Sequence, residues 1–376
     1  MGHSPALLAR AGSWGRRSKT AALRAARYTR DGVLAPLTGH PHLLRHADLT
    51  VGLLRRRLAP GRLFVGWILH GNEDNGSTRV HGLLPHAYLR SVGVNSVILR
   101  KPRAGCFPLL LDRETVQRLL QSSLDVVVFQ GASAPAAATL AGQLRAAGTK
   151  TVFFTGDFYG HAMANAVDWV VAASKGLTAV APTSRNASVI ESVIDAPLGL
   201  VKDYDRVSAH DRIRAVWVGY PENLPLLDPV REALKDPRLS RFDLITISRG
   251  PGVTHQWHRR RVFDDLLACD IAVLPGGTTD RYRVKPNTRM TMLKALGLPI
   301  IAAPIDSYAR TLVHDRSCYF ARTTTEWIDA FLALADPARR RAVGLADRET
   351  ILNTHGLAAI GQRWLDLFHI LAPDRT

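Results

Sequence analysis

The sequence predicts an α/β protein built from two doubly wound domains that face each other across a cleft, and three observations carry that expectation. Short apolar runs alternate with helix-length segments from Arg62 onward, as parallel strands joined by crossover helices do. The alternation fades near Asp195 and restarts at Ile213. At 376 residues the chain is also too long for one ordinary core.

In the first unit, residues 63–69, 96–99, 126–129, 152–154, 169–172 and 189–193 are apolar runs of strand length, with helical stretches near 78–91, 113–122, 134–147 and 174–182. This is one Rossmann-like unit. The second has strands at 213–218, 243–247, 271–274 and 299–303 and helices near 226–235, 256–268, 286–297 and 324–335. Between them, 196–211 lacks periodicity and reads as a linker. The expected organisation is therefore a basic arm over 1–61, a first domain over 62–195, a second over 212–336, and a helical segment, 337–376, that packs back on the first domain.

The formal net charge of +17 is concentrated at one end. Residues 1–62 carry Arg10, Arg16, Arg17, Lys19, Arg24, Arg27, Arg30, Arg45, Arg55, Arg56, Arg57 and Arg62 against only Asp31 and Asp48. Such an arm fits an anionic membrane surface, a nucleic acid or plain solvent. No nucleic-acid module accompanies the charge, so no nucleic-acid partner is expected. Leu7, Leu8, Trp14, Leu23 and Tyr28 offer an apolar stripe for the membrane reading, which Gly12 and Gly15 weaken. Cys106, Cys269 and Cys318 are isolated, without metal-ligand spacing, and point to a reducing compartment. The start of the chain has no apolar core of signal-peptide type and no run spans a membrane, so a cytoplasmic location is expected, with the arm able to reach a membrane's inner face.

The residues from Cys269 to Tyr308 hold most of the chemical information. Two apolar strands enclose a loop and helix carrying Arg281, Arg283, Lys285, Asn287 and Arg289. Ligands of such βαβ units collect beyond the carboxyl ends of the strands, so this loop is suited to an anion. If Pro286 opens the helix, its missing N–H costs nothing, and the amides of Asn287, Thr288 and Arg289 point outward. Arg249, after another strand, adds a cation at the same rim, although each of these residues also reads as a solvated loop cation. In the first domain, Asp157 follows the strand near 152–154, where a carboxylate can deprotonate a hydroxyl or merely cap a helix. Asn75, Gly76, Ser77, Thr78 and Arg79 form a small-residue loop after the first strand, and Gln130 ends the third. His70 ends the first strand and reads equally as a structural histidine. A nicotinamide fingerprint, a nucleophile elbow, a Walker loop and a paired metal-ligand cluster are all missing.

Two tandem Rossmann-like units with an anion-seeking loop in the second resemble the GT-B glycosyltransferases, in particular the retaining sugar-nucleotide transferases. The likeness rests on Gly76-Ser77-Thr78-Arg79-Val80-His81-Gly82, on Lys285-Pro286-Asn287-Thr288-Arg289, and on the Gly297-Leu298-Pro299 step into the next strand. It implies a metal-independent hexosyltransferase without cofactor, taking a nucleoside-diphosphate sugar as donor and a glycan or lipid-linked acceptor, such as a surface-polysaccharide precursor. It further implies donor binding by Arg249, Lys285, Asn287, Thr288 and Arg289, acceptor or phosphate contacts from Asn75, Gly76, Ser77, Thr78, Arg79 and Gln130, and Asp157 facing the acceptor. The sequence departs from the family at a spaced pair of glutamates, whose places fall on Val284 and Met292. Gly219-Tyr220-Pro221-Glu222-Asn223 also lacks the basic pair those enzymes place on the diphosphate. A non-catalytic relative that keeps the cleft is the alternative these departures support.

Overall fold

The computed structural model describes residues 46–102, 113–157, 160–182, 185–197, 199–205, 211–277 and 279–376. The first lobe is a six-stranded parallel sheet of β1 (Phe64–Leu69), β2 (Asn95–Arg100), β3 (Val126–Gln130), β4 (Lys150–Thr155), β5 (Trp169–Ala172) and β6 (Asn186–Val189), in the order β2-β1-β3-β4-β5-β6. The second contains β7 (Ile213–Val218), β8 (Phe242–Ser248), β9 (His255–Gln256), β10 (Ile271–Leu274), β11 (Ile300–Ala302) and β12 (Tyr319–Phe320), all parallel, in the order β12-β11-β10-β7-β8-β9. Both sheets are doubly wound. Alternating side chains explain why: Phe64 and Ile68 enter one core while Val65, Trp67 and Leu69 enter the other. Along β7, Ile213, Ala215 and Trp217 oppose Val216 and Val218 in the same way.

Helix Leu357–Leu371 leaves the second lobe and lies on the first. Its Trp364 ring meets Trp67 edge-on at 5.3 Å, and Phe368 meets the same ring at 6.2 Å. Gly361 permits this approach, because a Cβ there would lie 2.2 Å from the Tyr88 ring.

Three sequence expectations need correction. The basic arm drawn to residue 61 ends sooner, because helix His46–Leu58 is part of the first lobe, with Leu49 buried against its core and Arg56 forked onto Asp125 at 3.0 Å on both nitrogens. The earlier stripe of Leu7, Leu8, Trp14, Leu23 and Tyr28 lies outside the described residues. The sixth strand is Asn186–Val189 rather than 189–193, and Ile190 and Val193 beyond it are buried in the core that also takes in helix Leu357–Leu371. The helix expected over 256–268 begins only at Val262, because His255 and Gln256 pair with Ile247 and Ser248 as an edge strand.

A candidate active site between the lobes

The carboxyl ends of the two sheets face each other, and named side chains bridge them. Beyond β4, Asp157 accepts from Arg281 Nε at 3.1 Å, from Arg281 Nη2 at 2.7 Å and from Lys285 Nζ at 2.9 Å. Both cations follow β10 in the other lobe. Beyond β5, the Ser174 hydroxyl donates to the Val284 carbonyl at 2.6 Å. Val284 packs on Gly176, where a Cβ would lie 2.5 Å from its Cγ1.

The Asp157 cluster is graded in exposure. Arg281 is 65% exposed, Lys285 28% and the carboxylate 18%. Water therefore weakens the Arg281 arm more than the Lys285 arm. The bond to Asp157 pushes the Arg281 guanidinium above its usual range. Arg289, in the first turn of helix Thr288–Ala295, turns back so that Nη1 donates to the Val218 carbonyl at the end of β7 at 3.1 Å. It stands beside Gly219, at the rim where the second lobe's strands end.

A second bridge lies further along the rim. The exposed Arg249 guanidinium sits 4.6 Å from the Trp257 ring centre, and Arg79 of the first lobe approaches the same ring at 5.9 Å. Arg79 is also tied to Asp195 at 2.8 Å and to the Glu73 carbonyl at 2.7 Å, which offsets its charge.

The small-residue loop is largely occupied with its own architecture. Asn75 caps the helical turn Gly76–Thr78 by accepting from the Thr78 amide at 3.0 Å, and Gln130 Nε2 donates to Ser77 Oγ at 3.1 Å. Thr78 is buried, whereas Ser77 is exposed toward the carboxyl edge. His70 is depressed from its ordinary value by burial and by Arg100, as a structural histidine would be.

Asn287 and Thr288, expected on the donor, make side-chain contacts in the joint between the lobes. Asn287 is buried, and its Nδ2 meets Glu191 Oε1 at 3.0 Å and His355 Nε2 at 3.1 Å. Thr288 Oγ1 lies 2.6 Å from Ser192 Oγ, which lies 3.1 Å from His81 Nε2. Both side chains thus already have hydrogen-bond partners in the joint. Sequence reasoning passed over Glu191, Ser192 and His355. The only local signal was a polar pair, Glu191 and Ser192, set inside the apolar run from Val189 to Ile194. Hydrogen bonding to His355 holds the Glu191 carboxyl below its ordinary value, and burial pushes the His81 imidazole down to about 3, so it is neutral.

Comparison with known proteins agrees with this fold. Residues 249–366 match a family model described as glycosyl transferase-like. No curated protein matches the sequence. Among solved structures, Anabaena HepE, crystallised with UDP and glucose, superposes with a TM-score of 0.58 at 11% identity, over 81% of this chain and 99% of that one. Sucrose-phosphate synthase from Thermosynechococcus elongatus gives 0.60 at 13% identity, over 83% and 99%. WaaB, a lipopolysaccharide outer core galactosyltransferase, gives 0.55 at 12%, over 81% and 98%. The fold and cleft thus define a protein of GT-B architecture. The glycosyl transferase-like match is confined to residues 249–366, and the likeness of the rest of the chain is one of fold.

Proposed function

We propose that this protein transfers a hexose from a nucleoside-diphosphate sugar to a glycan or lipid-linked acceptor, such as a surface-polysaccharide precursor, in the cytoplasm. The observation that carries the reading is the meeting of Arg281 and Lys285 on Asp157 across the cleft. In this reading these cations, with Arg289 and Arg249 on the same rim, receive the diphosphate. In the reaction the acceptor oxygen bonds to the anomeric carbon, the carbon–oxygen bond to the diphosphate breaks, and charge builds on the leaving group. Fixed guanidinium and ammonium groups stabilise that charge without a metal. When a diphosphate takes over Arg281 and Lys285, the Asp157 carboxylate is released to accept the acceptor hydroxyl's proton. Ser77 and Arg79, on the first lobe, are the acceptor contacts in this reading. HepE in complex with UDP and glucose, and WaaB as a galactosyltransferase, support a nucleotide-sugar donor.

Titration calorimetry with UDP and a panel of sugar nucleotides tests this. Arg281→Ala and Lys285→Ala should each weaken diphosphate binding by about 10-fold or more, the worth of a charge-assisted hydrogen bond. Asp157→Asn should tighten UDP, by removing the competing carboxylate, while suppressing transfer. Unchanged affinity in all three variants would remove the cleft from the mechanism. A second reading, a non-catalytic binding protein, draws on Val284 and Met292. Val284 is packed against the other lobe and Met292 is half-buried against the core, so neither place offers a carboxylate. Donor hydrolysis or transfer, measured beside binding, separates the two.

A further inference from the structure

Helix His46–Leu58 carries apolar side chains on two opposite faces, and only one of them is covered. Its inner face seats Leu49 and Leu53 in the first lobe's core. Gly52 fixes the rotation of the helix, since a Cβ there would lie 2.7 Å from the Phe64 ring and 2.8 Å from Val97. The opposite face is consequently held outward. It presents Val51 at 44%, Leu54 at 53% and Leu58 at 86% exposure. Their spacing places them in one stripe. The other exposed large hydrophobics among the described residues, such as Val201, Tyr220 and Val313, are scattered through the chain.

The charge around that stripe is predominantly positive, with Asp48, one turn before Val51, the acidic residue of the helix. Arg55 lies within it, and Arg57 and Arg62 are exposed beside it. Arg56, by contrast, is turned inward to Asp125 and to the Arg62 carbonyl. The sequence immediately upstream adds Arg10, Arg16, Arg17, Lys19, Arg24, Arg27, Arg30 and Arg45 against Asp31 alone. A second copy docking face to face would set these arginines against each other. An anionic bilayer would meet them favourably while taking Val51, Leu54 and Leu58 into its headgroup boundary. No helix among the described residues is long and apolar enough to cross a membrane, so the contact is interfacial.

We propose that the outward face of helix His46–Leu58 is a docking surface for an anionic phospholipid bilayer, with Val51, Leu54 and Leu58 entering the interface and Arg55, Arg57 and Arg62 binding its headgroups. The full chain should co-sediment with vesicles of phosphatidylcholine and phosphatidylglycerol, fail to do so with phosphatidylcholine alone, and release as salt rises. Combining Leu54→Asp with Leu58→Asp should cut the bound fraction at least 10-fold with the thermal midpoint unchanged, because both side chains are already solvated. Arg55→Glu with Arg57→Glu should act in the same direction. Equal vesicle binding by wild type and the double aspartate variant would overturn the proposal, as would absence of binding by wild type. Sedimentation velocity supplies a third decisive outcome: a wild-type dimer that the aspartate variant converts to monomer would assign the face to a second copy instead. No donor is present in these assays, so their failure leaves the sugar-transfer reading untouched.

Discussion

Individual buried polar residues make the sharpest statements about this molecule. His81 is fully enclosed, stacked on Phe154 at 4.1 Å, and bonded through Nε2 to Ser192. Its Nδ1 has no hydrogen-bond partner among the described residues. With its folded pKa pushed down to about 3, it contributes stability that is fully present above the unfolded value and lost as pH falls below it. Between pH 7 and pH 5 the loss should reach about 2 kcal/mol, since the unfolded chain binds a proton the folded one refuses. Urea denaturation at several pH values should show this slope, and His81→Asn should flatten it. No shallower slope in the variant would assign the acid sensitivity elsewhere, His70 being the next group to consider because its imidazole is also depressed from its ordinary value.

Among elements, the end of helix Pro337–Leu345 illustrates how a side chain from elsewhere completes local structure. A helix leaves its last carbonyls unsatisfied. Here the buried Lys294 reaches across from helix Thr288–Ala295 and donates to Val343 O at 2.7 Å, Gly344 O at 3.0 Å and Ser317 O at 3.2 Å. Burial lowers its pKa to about 8, so the cost of enclosing its charge is fully present below that value and is relieved as pH rises toward the unfolded range. The three charge-assisted bonds oppose that cost, and removing the ammonium strands three buried acceptors. Lys294→Met should therefore destabilise the protein by about 2–4 kcal/mol, read from guanidinium unfolding. Equal or greater stability in the methionine variant would mean that desolvation wins. The sequence could not announce this role, because Lys294 looks like any solvated lysine on a helix until the partner helix is placed. Helix Thr324–Ala333, by contrast, completes its own start, where Thr323 and Glu326 form a capping box.

At the scale of the whole molecule, the working unit is the joint between lobes. Ser174, Gly176 and Val284 set the separation on one side, and Glu191, Asn287, Thr288 and His355 hold the other. Gly176→Val should pry the walls apart, because even a Cβ at this position meets Val284 within van der Waals distance. We expect a larger radius of gyration by small-angle scattering and UDP affinity weakened several-fold. If scattering and affinity both match wild type, the Val284 contact does not govern the opening. The cluster of Arg281, Lys285 and Asp157 belongs to this scale as well, since each lobe supplies only part of it.

The two sheets were legible because apolar strands and helix-length crossovers leave a mark in local hydrophobic order. Strands β7 and β10 fall where that order places them, and the cationic loop after β10 was visible as a block of residues. The two-residue strands β9 and β12 were not, because edges so short have no period to read. Local order and composition thus determined, by themselves, the fold class and the position of the cationic loop after β10. Tertiary structure alone decided that Asp157 meets Arg281 and Lys285, that Asn287 and Thr288 turn into the joint, and that one face of helix His46–Leu58 stays bare. These outcomes depend on residues far apart along the chain coming within hydrogen-bond or packing distance, and only the docking of the lobes fixes those distances.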